Sequence, residues 1–247
     1  IDSVMDIDYA AGRITYASAE AVIAFIRDRG YTLEWLIETH VHADHLSGAP
    51  YIQGKLGGKI GIGANITIVQ DTFGKVFNEG HELRSVTLLG PVCERLRVPA
   101  ECRDLALLVA RFHGDIYKIG TMTVQTLHTP GHTPACMTHV IGDAAFVGDT
   151  LFMPDGGSAR ADFPGGDART LYRSIRRVLS LPDATRLFMC HDYGPNGREI
   201  RWETTVAEQR AHNIHVHDGV TEDDFVQVRE ARDATLAMPK LIIPSLQ

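Results

Sequence analysis

His40-Val41-His42-Ala43-Asp44-His45 follows, after Glu38-Thr39, on the apolar stretch Leu33 to Ile37. A lone histidine on an apolar strand is ordinarily a satisfied core residue. Three imidazoles and a carboxylate in six positions crowd and repel when protonated, unless a cation holds them. Side chains two residues apart point the same way along extended chain. That rule predicts that His40 and His42 share one ion, while Asp44 and His45 turn toward a second position.

Three further donors stand at similar addresses. His132 follows the strand predicted for Met122 to Leu127, by the tight loop Thr129-Pro130-Gly131-His132-Thr133-Pro134. Asp149 follows Ala144 to Gly148, and His191 follows Arg186 to Cys190. Singly, Asp149 reads as a turn cap and His191 as a loop histidine. Open α/β sheets, however, gather ligands at the carboxyl ends of their strands, and four segments obeying one rule point to one cleft. The donors are imidazole and carboxylate with no thiolate. Such a set suits zinc, iron or manganese in an open catalytic site rather than a closed structural one.

The rest of the chain supplies the scaffold. Ser18 to Arg29 is predicted helical, with Ser18 as its cap, Val22, Ile23, Phe25 and Ile26 on one face, and Gly30 ending it. Ile66, Val69, Phe73, Val76 and Phe77 keep helical spacing. Cys136 to Ile141 and Ala144 to Val147 read as a hairpin across Gly142-Asp143. Asp167 to Leu179, Thr205 to Asn213 and Thr221 to Ala237 read as helices, the last two opened by Thr205-x-x-Glu208 and Thr221-x-x-Asp224. Alternating strands and helices imply a layered α/β fold. Leu83 to Phe112 keeps no clean period; it reads as an atypical insertion or irregular segment and is given no function. Arg169, Arg173, Arg176 and Arg177 read as a solvated helix face.

With 247 residues the chain is expected to be one domain, 1–247, and edge strands are expected before Ile1. A net charge of -7 argues against nucleic acid or an anionic membrane surface as partner. Apolar runs fall far short of the roughly 20 residues that span a bilayer. Four well-separated cysteines form neither a C-x-x-C knot nor a disulfide scaffold, so a reducing cytoplasm is expected.

In order and spacing, His40, His42, Asp44, His45, His132, Asp149 and His191 resemble the motif set of the metallo-β-lactamase superfamily. That resemblance implies an αββα sandwich, two mixed sheets flanked by helices, with the active site at one sheet edge. Glu38 to Leu46, Thr129 to Pro134, Phe146 to Phe152, Arg160-Ala161-Asp162-Phe163 and Cys190-His191-Asp192-Tyr193 resemble more closely the persulfide (sulfur) dioxygenases and the bacterial β-lactamase-like hydrolases of sulfide-responsive operons. The resemblance implies one Fe(II) per chain on His40, His132 and Asp149. His42, Asp44, His45 and His191 would surround and orient those ligands. Glutathione persulfide and O2 would be the substrates, sulfite and glutathione the products, in a homo-oligomer (dimer or tetramer). Arg160 would clamp substrate carboxylates, Asp162 would fix that arginine, and Tyr193 would add a hydrogen bond. The competing reading in the same fold is a dizinc hydrolase, a glyoxalase II-like thioesterase or lactonase. There His40, His42 and His132 would hold one zinc and Asp44, His45 and His191 the other, with Asp149 bridging. A third reading is a metal-dependent sensor without turnover.

Overall fold

A computed structural model of the chain describes residues 1–8, 13–77, 116–237 and 239. They belong to two compact units, one within 1–112 with 238–247 and the other within 113–237. The irregular segment Leu83 to Phe112 lies outside the described residues.

The first unit contains β1 (Val4–Asp8), β2 (Arg13–Thr15), α1 (Ala17–Asp28), β3 (Trp35–Glu38), β4 (Leu46–Ser47), α2 (Ala49–Leu56), β5 (Lys59–Ile62) and α3 (Ile66–Phe77). β1 lies antiparallel between β2 and β4, and β3 pairs in parallel with β5. Ala19, Ile23, Leu36, Ala49 and Ile52 form its buried apolar cluster. Two expectations for α1 are corrected. Its inward stripe is Ala19 and Ile23, with Val22 and Phe25 exposed. The apolar arc is narrower than the composition of the helix suggested, and Phe25 packs instead on Tyr31 and under Arg29. Nor does Ser18 cap the helix: its N–H and hydroxyl both donate to Asp6 of β1. Gly30 ends the helix as expected, at a φ of +64° that favours glycine.

The second unit is built on a six-stranded sheet. Its strands are β6 (Ile116–Ile119), β7 (Met122–His128), β8 (Met137–Ile141), β9 (Ala144–Phe146), β10 (Arg186–Phe188) and β11 (Glu203–Thr205), in the order β11-β10-β9-β8-β7-β6. The two-residue turn Gly142-Asp143 closes the β8–β9 hairpin, with Ile141 opposite Ala144. β9 and β10 run parallel, while β7 and β8 as well as β8 and β9 are antiparallel. Hence β7, β9 and β10 run in one sense and end at the same edge of the sheet. Three helices pack here: α4 (Ala168–Val178), α5 (Val206–His212) and α6 (Glu222–Asp233).

Each helix is started by the residue the sequence nominates. Asp167 accepts from Thr170 N–H, Thr205 from Glu208 N–H and Thr221 from Asp224 N–H. α4 turns Leu171, Ile175 and Val178 onto Leu187 and Val147 of the core. The opposite face of α4 carries the arginines; three are ion-paired, and Arg177 donates to the His128 carbonyl. Arg169 and Arg173 bind Glu222, and Arg176 binds Asp218. The solvated-face reading is therefore met by an exposed ion-pair network, each pair contributing little at such exposure. Among the described residues no helix is long and apolar enough to cross a membrane.

Leu187 is fully buried at the centre of β10. Leu187→Ala is expected to cost about 2–5 kcal/mol, read as a lower urea midpoint at unchanged slope. A loss below about 1 kcal/mol would show that the sheet centre closes the cavity.

Candidate metal centre

In the first unit, β3 delivers the histidine cluster. The strand ends at Glu38, a carboxylate buried where an apolar strand stops, and a buried charge needs partners. Glu38 Oε1 accepts from the Ser47 hydroxyl at 2.6 Å, and Oε2 lies 2.9 Å from His42 Nε2. Asp2 Oδ1 approaches the same nitrogen at 3.3 Å. Burial alone would push the His42 pKa down; the hydrogen bonds and charges of Asp2 and Glu38 more than reverse this and raise it to about 10. The other nitrogen, His42 Nδ1, is buried with no hydrogen-bond partner. A ring nitrogen pinned on carboxylate, with its twin left in a buried space, is how a metal-binding imidazole is held. The negative field of Glu38 and Asp2 favours a cation at His42, whether a proton or a metal ion.

His42, Asp44 and His45 each offer one donor atom within 4.8 Å of the others. The His42 ring sits 4.1 Å from that of His45 and 4.4 Å, edge-on, from that of His40. His42 thus stands beside Asp44 and His45 as well as against His40, so the expected turning away of Asp44 and His45 is not seen. The reason is local. The extended backbone stops at Glu38, so alternation of sides no longer governs residues 40–45. His45 directs Nδ1 at the Leu46 carbonyl, 3.0 Å away.

In the second unit, the donors emerge where β7, β9 and β10 end. His132 stands on a braced loop. Thr129 N–H donates to Cys136 O, Ser174 Oγ to Pro130 O, and Asp167 N–H to Gly131 O. Gly131, at φ +133°, presses on α4: a Cβ there would lie 2.3 Å from Leu171 Cα. His132 Nδ1 lies 2.8 Å from the Arg160 carbonyl. A carbonyl only accepts, so Nδ1 carries a hydrogen and, in the neutral ring, Nε2 keeps its lone pair. Asp149 sits in the single turn Gly148–Thr150 after β9. Its Oδ2 is 3.6 Å from His132 Nε2 and its Oδ1 is 3.2 Å from His191 Nε2. The structure thus brings His132, Asp149 and His191 together, each oxygen of the carboxylate turned to a different imidazole. His132 and Asp149 are nearly enclosed by protein, and imidazole with carboxylate is by its chemistry a donor pair suited to a metal ion.

Arg160 is less available than a substrate clamp requires. Nε and one Nη bind Asp162 in a fork at 2.6 and 2.7 Å, the other Nη donates to Ala237 O, and the guanidinium lies over Phe163. Asp162 therefore fixes Arg160, as expected. The segment serves the site through its backbone, since the Arg160 carbonyl orients His132 and the Phe163 ring packs 5.0 Å from the imidazole. Tyr193 is largely exposed, its ring 6.3 Å from His191 and 5.7 Å from Phe152. Asp2 and Glu38 were given no role in reading the sequence. A carboxylate closing an apolar strand was the available signal for Glu38; nothing local marked Asp2.

The Metallo-beta-lactamase superfamily model matches residues 1–191. A probable metallo-hydrolase of Burkholderia pseudomallei is 53% identical over all of this chain and 82% of its own length. A "Beta-lactamase hydrolase-like protein" of Xylella fastidiosa is 45% identical, and this chain spans only 53% of it, about half. "Glyoxylase B2" of Dictyostelium discoideum is 43% identical over the whole chain and 80% of that protein. Among solved structures, ETHE1 from Myxococcus xanthus superposes with a TM-score of 0.69 at 26% identity, covering 99% of this chain and 92% of that one.

Two outcomes are expected. Gly131→Ala should destabilise by more than about 2 kcal/mol, seen in thermal melts; an unchanged melting point would contradict the close approach to Leu171. In the metal-free chain His42 should stay charged well above pH 6.5, its stabilising contribution complete below that value and lost as pH rises through about 10. Histidine NMR titration reads this, and an ordinary midpoint for His42 would refute the Glu38–Asp2 clamp.

Proposed function

Because this chain belongs to the metallo-beta-lactamase superfamily, we propose that it is a metal-dependent enzyme in which His40, His132 and Asp149 hold one ferrous ion and glutathione persulfide reacts with O2 and one water to give sulfite and glutathione. The observation that carries this reading is the place of Arg160-Ala161-Asp162-Phe163. That is a stretch by which the sequence resembles persulfide dioxygenases, and its Arg160 carbonyl and Phe163 ring fix His132. Similarity to ETHE1 over nearly all of both chains supports the same reading. Two imidazoles and one carboxylate are the donor set of non-haem iron oxygenases. When bound, iron supplies the electron transfer that spin-paired sulfur and triplet oxygen lack.

The chain's own residues bind and orient. His132 presents Nε2 because its Nδ1 is committed to the Arg160 carbonyl. In this reading His42, Asp44, His45 and His191 would orient those ligands and shape the charge around the ion. Arg160 offers substrate carboxylates only the N–H groups that Asp162 and Ala237 leave over, and Tyr193 offers an exposed hydroxyl. Binding the substrate's sulfur beside oxygen removes most of the entropic barrier to their meeting. The substrates are a small thiol persulfide and O2, handled by a homo-oligomer in the cytoplasm.

A second reading, the dizinc hydrolase, is favoured by one geometric observation: the two oxygens of Asp149 face different imidazoles, so the carboxylate could be shared between two ions. The names of the curated relatives, a metallo-hydrolase and a glyoxylase, weigh on this side. His40, His42 and His132 would then hold one zinc, and Asp44, His45 and His191 the other. A zinc pair supplies an acidified water for thioester or lactone hydrolysis.

Protein purified anaerobically is expected to carry about one iron per chain, in keeping with a single two-His, one-carboxylate site, and to consume oxygen only when glutathione persulfide is added. Asp149→Ala should lose both the iron and the oxygen uptake. Two zincs per chain, with thioester hydrolysis that needs no oxygen, would replace the dioxygenase by the hydrolase. Metal retention without either activity would leave a sensor.

A further inference from the structure

Around His40 the structure holds a relay that the donor motif does not contain. His40 and Thr39 are buried, Thr39 completely, so water does not mediate their contacts. His40 Nδ1 lies 2.8 Å from Thr39 Oγ1. By itself this contact is ambiguous, since a hydroxyl can donate or accept. Asp2 removes the ambiguity. The Thr39 hydroxyl donates to Asp2 Oδ2 at 2.8 Å, while the Thr39 backbone N–H donates to Asp2 Oδ1 at 2.7 Å. A hydroxyl has one proton, and a carboxylate only accepts. With its proton committed to Asp2, Thr39 can only accept from His40, so the hydrogen of the neutral ring sits on Nδ1 and Nε2 carries the lone pair.

Asp2 is held for this task at some cost. Its backbone has φ +51°, in the left-handed region that few residues other than glycine adopt. Its N–H donates to Ile37 O on β3 at 2.8 Å, which ties it to the strand that delivers Thr39 and His40. The carboxylate also lies 3.3 Å from His42 Nε2.

We propose that Asp2 and Thr39 are positioning residues that lock His40 as the Nδ1–H tautomer, through the juxtaposition Asp2 carboxylate, Thr39 hydroxyl, His40 Nδ1, and so ready Nε2 for a metal ion. The proposal rests on the reading of His40 as a metal ligand. Its structural core, the tautomer, does not need the metal.

Asp2→Asn is the decisive variant. The amide oxygen still accepts from Thr39 N–H, but the amide nitrogen now donates to Thr39 Oγ1. The hydroxyl proton is thereby turned onto His40 Nδ1, and the ring hydrogen moves to Nε2. Thr39→Val removes the relay, and Thr39→Ser keeps it. In the metal-free protein, 15N NMR of the histidine rings is expected to show Nδ1–H for His40 in the parent and in Thr39→Ser, and Nε2–H in Asp2→Asn. Titration with Zn2+ alone should show affinity about 10- to 100-fold weaker in Asp2→Asn and Thr39→Val, as for other residues that orient ligands, with Thr39→Ser close to the parent. Thermal melts show which variants fold; should Asp2→Asn not fold, the comparison of Thr39→Val with Thr39→Ser decides. An Nδ1–H tautomer and parental affinity in Asp2→Asn, with His40→Ala losing the ion, overturns the relay and leaves the metal reading standing. The expected tautomers, with no Zn2+ bound by the parent, uphold the relay and overturn the metal reading.

Discussion

One constraint runs through both units: an imidazole has two nitrogens, and a buried one must have both accounted for. The protein commits one nitrogen of four of the motif histidines to an oxygen. His132 Nδ1 goes to the Arg160 carbonyl, His42 Nε2 to Glu38, and His45 Nδ1 to the Leu46 carbonyl. His40 Nδ1 goes to the Thr39 hydroxyl. The other nitrogen of each ring is then the one a cation can use. Fixing ring and tautomer before the ion arrives means that binding costs less ordering, which is why such surrounding residues govern metal affinity.

Those oxygens are themselves held by ordinary fold physics. The His132 loop cannot drift, because Gly131 lies against the backbone of α4 and Asp167 N–H holds its carbonyl. The Arg160 carbonyl stays in place because its guanidinium is forked onto Asp162 and tied to Ala237. The Asp149 turn is linked to the same loop by hydroxyls, Thr150 to Thr129 and Thr129 to Thr138. Under this lies the apolar contact of α4 with the sheet, Leu171 and Ile175 on Leu187 and Val147. Rigid donors on a packed sheet edge are what an open metal site requires, since loose donors would collapse onto one another without the ion.

Much of this was legible in the sequence, for reasons that are local. Apolar strands that stop at a His or Asp, helices opened by Asp167, Thr205 and Thr221, and the Gly142-Asp143 hairpin all follow from nearest-neighbour rules. The α1 stripe was misjudged because composition does not say how wide an arc a helix buries; only Ala19 and Ile23 face inward. Ser18 does not cap because a serine hydroxyl can donate as well as accept, and the fold brings it the Asp6 carboxylate to donate to. Arg160 reads as a carboxylate clamp fixed by Asp162, which lies two residues away and so is legible; its second partner, the Ala237 carbonyl, is 77 residues away and is set only by folding.

Residue order alone determined the donor chemistry: imidazoles and carboxylates without thiolate, one at the end of each of several apolar runs. It also determined the family, because that order is specific. Only the tertiary structure decided which nitrogen of each ring is committed, that His42 stands with Asp44 and His45, and that Asp2 and Glu38 govern the histidines beside them. Donor type is a property of a residue. The direction of a lone pair is a property of whatever oxygen the fold brings within 3 Å, and no spacing rule links residue 2 to residue 39.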